Sequence, residues 1–264
     1  MSRPGVRRVL VVGGGFSGLS AAIMLVRAGI DVDLIERSPQ WRMDGTGISA
    51  GAATLRALHT VGVLDAFLAH GYAADGTDVR TPDGHRIAGF STPRLVSPEV
   101  PGNGAIMRPA LGAILVDAAA RAGVSMRLGT TVSDLDDDAA DGVQVTISDG
   151  GRARYDLVVA ADGLQSRTRA RLFPDAPRPS FSGQGAWRAV VPRPPQIECT
   201  TVWVGAAHKV GVNPVSAEEM YLFVNENRAD NDHVADDDLV PRLAHTARAD
   251  HRSGDPRGAR AHRR

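Results

Sequence analysis

Near its amino end the chain places glycine at three critical points of one tight turn. A strand-like apolar run, Val9 to Val12, meets Gly13-Gly14-Gly15-Phe16-Ser17-Gly18, and a helical pattern then continues to about Ala28. A second strand-like run, Ile30 to Ile35, ends at Glu36. A strand, helix and strand this close together require a parallel pair joined by a right-handed crossover. Gly13 lets the strand turn sharply, Gly15 keeps a side chain away from the helix N-terminus, and Gly18 lets helix and strand pack closely. That helix end offers unpaired N–H groups and the positive end of the helix dipole, which suit a diphosphate.

The spacing extends beyond the turn. Gly18, Ala22, Leu25 and Gly29 share one helix face, and Glu36 follows Gly18 by eighteen residues. A carboxylate there accepts hydrogen bonds from a ribose diol and repels a 2′-phosphate, so FAD or NAD is expected ahead of NADP as the tightly held ligand. Arg37 could stack on adenine or meet a phosphate; the alternative is a solvated cation at a strand end.

Composition narrows the rest. The 264 residues are 43% hydrophobic, with thirty basic and thirty acidic side chains. This neutrality argues against a nucleic-acid or anionic-membrane surface as the main partner. No apolar run is long enough to span a bilayer, and no signal-peptide pattern opens the chain, so a soluble cytoplasmic protein is expected. The single cysteine, Cys199, supports neither an internal disulfide nor a cysteine-ligated metal site. Five aspartates crowd into Asp134–Asp141, but without the glycine and closing glutamate of a calcium loop, so no metal is expected. All basic residues but Lys209 are arginine, so chemistry that needs a lysine has one candidate.

Further along, Met43 to Ile48 reads as a glycine-rich loop, and helical stretches follow at Ala52 to His59 and Val63 to His70. Thr77 to Phe90 reads as a hairpin turning at Pro82-Asp83-Gly84. Ser91 to Pro101 is a proline-rich loop. Arg108 to Ala122 is a helix, with Leu111, Ile114, Leu115 and Ala118 at helical spacing. Three strand-like pieces, the last two turning at Asp149-Gly150, lead into the apolar run Leu157 to Ala161. There Asp162-Gly163 precedes a helix over Gln165 to Leu172, either as a capped helix start or as part of a site. The chain is mostly β from Gly183 to Val224. The last twenty residues, His245 to Arg264, contain six arginines, three histidines and no hydrophobic residue except alanine. They are expected to be a basic disordered tail or the product of a reading-frame change.

Taken together, the glycine turn and Asp162-Gly163-x-x-Ser166-x-x-Arg169 resemble the flavoprotein aromatic hydroxylases, the para-hydroxybenzoate hydroxylase-like FAD-dependent monooxygenases. Gly45-Thr46-Gly47-Ile48, Met107-Arg108-Pro109-Ala110-Leu111, Trp187-Arg188 and Tyr221-Leu222-Phe223 are similar to other family segments, over about residues 7 to 240. The resemblance implies an α/β fold: a Rossmann-like FAD-binding domain with a parallel sheet, and a second, mostly antiparallel β substrate domain. The FAD-binding domain would take 1–75 and 102–178, the substrate domain 76–101 and 179–244, and the tail 245–264. It implies FAD as cofactor, NADH or NADPH as transient co-substrate, and O2 with a small aromatic molecule as reactants. Gly13, Gly15 and Gly18 would hold the FAD pyrophosphate and Glu36 the adenosine ribose. Arg108 would lie beside the phosphates or ribityl chain, and Val132, after a strand at Thr130-Thr131, would meet adenine through its backbone. Asp162 and Gly163 would serve FAD and the nicotinamide cofactor together. His208, Lys209 and Tyr221 would orient or deprotonate substrate; no residue is singled out as catalytic.

The sequence departs from the family in one respect. A third flavin-contacting motif of Gly-Asp-Ala-Ala-His type is not found, and Gly254-Asp255 lacks its context. Exposed apolar surface and weak FAD retention are expected from this, and the alternative reading is a non-catalytic dinucleotide-binding remnant. A flavin halogenase fits less well, because Trp187 is followed two positions later by Ala189 where a second tryptophan is required.

Overall fold

The computed structural model describes residues 5–41, 43–137, 142–205 and 208–253. In chain order the first elements are β1 (Arg8–Val12), α1 (Phe16–Arg27), β2 (Asp31–Glu36), β3 (Gly47–Gly51), α2 (Ala52–Val61), α3 (Leu64–His70) and β4 (Tyr72–Ala74). Next come β5 (Thr77–Arg80), β6 (Arg86–Phe90), β7 (Asn103–Met107), α4 (Arg108–Ala122), β8 (Ser125–Leu128), β9 (Val132–Asp136), β10 (Val143–Ile147) and β11 (Arg152–Tyr155). The remainder are β12 (Leu157–Ala160), α5 (Arg167–Leu172), β13 (Gln184–Pro192), β14 (Thr200–Val204), β15 (Lys209–Pro214), β16 (Glu219–Asn227) and α6 (Asp236–Ser253). The described residues divide into two compact units. One draws on Met1–Gly45, Thr60–Ala66 and Arg108–Pro179, the other on Thr46–His59, Phe67–Met107 and Ser180–Arg264.

The first unit is built on a parallel sheet in the order β12-β1-β2-β8. Its central strand is apolar on both faces, with Val9, Leu10 and Val11 fully buried, as a parallel strand covered on both sides requires. Helix α1 buries Leu19, Ala22 and Ile23 and packs against α4. A three-stranded antiparallel sheet, β11-β10-β9, brings Val145, Ile147 and Tyr155 against Leu10, Val12 and Ile35. One polar cluster ties this layer to the parallel sheet. Arg8 Nη2 donates to Asp33 Oδ2 at 2.8 Å, Tyr155 Oη donates to the same oxygen at 2.9 Å, and the Arg8 guanidinium lies 4.7 Å from the Tyr155 ring centroid. Burial works to raise the Asp33 carboxyl, but the donors Arg8, Tyr155 and Ser125 outweigh it and hold it below the usual carboxylate range. Burial, and then Asp33, push the Tyr155 phenol up to about 12.

The second unit contains a six-stranded sheet, β13-β16-β15-β14-β5-β6, antiparallel except for the β14–β5 pair. Its three-stranded companion is β3-β7-β4. Ala105, Val215 and Tyr221 form a small core with Met107 and Phe223 packed on it.

Several sequence expectations need correction. Gly47 and Ile48 lie in β3, paired with Met107 and Ile106, so only the front of the expected loop is loop. Thr130-Thr131 precede a strand and do not form one, because β9 begins at Val132. The α6 backbone stays helical to Ser253, past the expected start of the tail at His245. Alanine and arginine have high intrinsic helix propensity, which composition read for core-forming residues alone misses. Residues 254–264, with Gly254-Asp255, lie outside the described part.

A candidate dinucleotide site at the first strand–helix turn

The glycine turn is made by packing. Gly13 has φ +108°, open to glycine and strained for other residues. A Cβ there would run into the Ala161 carbonyl, and one at Gly18 would run into the Gly13 carbonyl. Both positions are therefore closed by protein atoms. Gly15 differs. It is the N-cap of α1 at φ −74°, makes no side-chain capping bond, and a Cβ there would meet no heavy atom within 4 Å. The helix thus opens into free space with its first N–H groups uncapped by a side chain.

Glu36, at the end of β2, is held against this turn. Its Oε2 accepts from Gly14 N and its Oε1 from Ser38 N, each at 2.8 Å. Each oxygen keeps a lone pair for a further donor. The Trp41 indole lies directly against Gly14. A cleft opens beside these groups, lined by Gly13, Glu36, Arg37, Thr131, Asp162 and Arg167 among others.

Asp162 enters the cleft from the end of β12. Its Oδ1 accepts from Ser166 Oγ at 2.6 Å, and its Oδ2 from Thr168 N at 3.1 Å and Thr168 Oγ1 at 3.0 Å. Ser166 caps α5 by accepting from Arg169 N at 2.9 Å. Burial would raise the Asp162 carboxyl, but these donors outweigh it and hold it low. Asp162 is therefore both part of the bonding that fixes the start of α5 and one of the residues that line the cleft. Gly163, at φ +81°, makes the turn and does not line the cleft.

The other expected residues are placed as follows. Arg37 lines the cleft. Arg108 does not; its Nε donates to Asp44 O at 3.3 Å and its guanidinium lies 5.0 Å from the ring centroid of Phe16, the first residue of α1. The Val132 side chain packs into the apolar core, and its neighbour Thr131 faces the cleft instead. In the second unit Tyr221 is 4% exposed, with its hydroxyl bonded to Ser49 Oγ and its ring filling the space left by Gly47. Tyr221 is thus a packing residue, not a free phenol. Lys209 is exposed at the start of β15, and His208 precedes it. Thr131, Gln165 and Arg167 were missed as lining residues. Gln165 and Arg167 sit inside the Asp162–Arg169 stretch, so their signal was available; Thr131 carried none. Among the described residues no cluster could hold a metal ion, and no helix is long and apolar enough to cross a membrane.

A family model described as an FAD binding domain matches residues 7–262. The chain belongs to this FAD-binding domain family. FAD is the dinucleotide of the family, and the open space at Gly15, the uncapped helix end and the Glu36 lone pairs fit its diphosphate and ribose. The 2-heptyl-3-hydroxy-4(1H)-quinolone synthase of Pseudomonas aeruginosa is 34% identical over 217 residues, covering 81% of this chain and 55% of the relative. The putative FAD-dependent monooxygenase YetM of Bacillus subtilis is 28% identical over 221 residues, covering 83% and 59%. Among solved structures, Klebsiella pneumoniae HpxO complexed with FAD and uric acid superposes with a TM-score of 0.80 at 26% identity, covering 91% of this chain and 61% of that one. The chain thus spans little more than half the length of the curated relatives it matches.

Proposed function

We propose that this FAD-binding domain protein is a monooxygenase that uses NADH or NADPH and O2 to hydroxylate an aromatic or similarly electron-rich small molecule. The observation that carries the reading is the bare, unobstructed N-terminus of α1 at Gly15 with the Glu36 carboxylate clamped beside it. Family membership and monooxygenase relatives support it. When bound, FAD supplies the chemistry that this chain's side chains lack: acceptance of a hydride and activation of O2.

The chain's own residues bind and orient. Gly13, Gly15 and Gly18 shape the turn around the diphosphate, and the α1 N-terminus meets its charge. Glu36 takes the ribose hydroxyls, while Arg37, Thr131 and Arg167 face the adenosine end. Val132 contributes backbone only. Arg108 steadies the first turn of α1 through Phe16. Asp162, held ionised by Ser166 and Thr168, fixes the start of α5 at the cleft wall, with Gly163 making the turn. The strands β13 to β16, with Lys209 exposed at one end, receive the substrate.

The test is direct. Purified protein supplied with FAD is expected to hold near-stoichiometric flavin, to oxidise NAD(P)H faster with substrate present, and to release a product that has gained one oxygen atom. Colourless folded protein that ignores FAD would overturn the reading in favour of a non-catalytic remnant.

A further inference from the structure

Two glycines of the first unit are not explained by backbone conformation. Gly13 requires its positive φ, but neither Gly14 nor Gly112 has one. Gly112 even lies inside α4, where glycine weakens a helix relative to alanine. Space explains both. A Cβ on Gly14 would run into the six-membered ring of the Trp41 indole, with Glu36 Cβ close beside it. A Cβ on Gly112 would run into the Met43 side chain.

Trp41 and Met43 stand two residues apart, a few residues beyond the end of β2. Side chains from one short stretch of chain therefore occupy glycine sockets on two different elements. A third tie follows at once. Arg108 Nε donates to Asp44 O at 3.3 Å, and its guanidinium lies 5.0 Å from the ring centroid of Phe16, at the start of α1. On its outer side the stretch borders an open groove of about 570 Å³ along α4, lined by Trp41, Met43, Pro109, Ala113, Val116 and Ala120 among others. Its hold on the turn thus rests on the two sockets and the Arg108 bond. Gly14, on which the indole lies, is also the residue whose N–H clamps Glu36 Oε2 at 2.8 Å.

We propose that Trp41 is a positioning residue for the flavin nucleotide. Seated in the space that Gly14 leaves, its indole fixes the middle of the turn. The Gly14 N–H then stays on the Glu36 carboxylate, and the α1 N-terminus stays presented to the diphosphate. The residue acts through Gly14 and Glu36, and Met43 and Arg108 keep its stretch of chain in place. The inference rests on FAD lying at this turn, and it adds what holds the turn ready.

The experiment uses the full chain stripped of flavin and titrated with FAD, read by flavin fluorescence, with dissociation followed by dilution. Denaturation curves on the same samples fix a temperature at which every variant is folded. Trp41→Ala is expected to raise the Kd about tenfold, the scale of one loosened hydrogen bond to a charged group, and to speed FAD release. Trp41→Phe, which still fills the socket, is expected to stay within about threefold of wild type. Gly14→Ala is expected to weaken FAD as Trp41→Ala does, because the added methyl displaces the indole. The two losses are expected not to add in Gly14→Ala/Trp41→Ala, since the methyl then meets no ring. A wild-type Kd in Trp41→Ala, equal losses in Trp41→Phe and Trp41→Ala, or fully additive losses in the double variant would overturn the proposal. Gly15→Val separates the two levels. If it binds FAD as wild type does, the assignment of FAD to this turn fails. If it abolishes binding while Trp41→Ala binds normally, only the role of Trp41 fails.

Discussion

At the scale of single residues, the three glycines of the turn do different work, and substitution should separate them. Gly13 and Gly18 are closed in by the Ala161 and Gly13 carbonyls. Gly18→Ala should therefore force backbone apart and cost a few kcal/mol, about 1–3, in chemical denaturation. Gly15 has an ordinary φ and open space around it. Gly15→Val should leave the fold within about 1 kcal/mol of wild type while abolishing FAD binding, read by flavin fluorescence; unchanged affinity would remove the diphosphate from this turn. Asp162 accepts three hydrogen bonds from Ser166 and Thr168. Its carboxyl is held below its usual range when folded. The stability it contributes is therefore present above the unfolded pKa of about 3.9 and is lost as pH falls through the lower folded value. Asp162→Ala should cost about 1–3 kcal/mol at neutral pH and flatten that acid limb of the stability profile.

At the scale of elements, Tyr155 on β11 and Arg8 on β1 meet on Asp33 of β2 and join the antiparallel layer to the parallel sheet. The Tyr155 phenol is pushed from 10.0 to about 12. A raised folded value for an acid means stability is complete below the unfolded pKa and is lost as pH rises through the folded one. Denaturation midpoints should accordingly fall between about pH 10 and pH 12, and Tyr155→Phe should remove that slope. The elements that could be read in advance were those with strong local signals. α4 spans Arg108–Ala122 because its apolar residues recur at helical spacing, and β5 and β6 pair around Pro82-Asp83-Gly84. β3 was hidden because Gly47-Ile48-Ser49-Ala50-Gly51 has little strand propensity; its pairing with β7, more than fifty residues away, makes it a strand.

At the scale of the whole molecule, the chain holds two units with separate sheets, and FAD is expected to report on the first. Ligand at a hundredfold excess over Kd stabilises by about 2.7 kcal/mol, which raises Tm by several degrees in a chain of this size. A thermal scan should show that rise for wild type and none for Gly15→Val.

The sequence alone determined the β1–α1–β2 unit, the turn at Gly13 to Gly18 and the carboxylate at Glu36, because spacing over some thirty residues is enough to specify a crossover and the helix end it presents. Tertiary structure alone decided that Thr131 and not Val132 faces the cleft. It also decided that Arg167 joins Glu36 there and that Tyr221 is sealed by Gly47 and Ser49. The reason is register. A one-residue shift between strands turns a side chain to the other face, and pairings between distant segments set that shift, which no local pattern encodes.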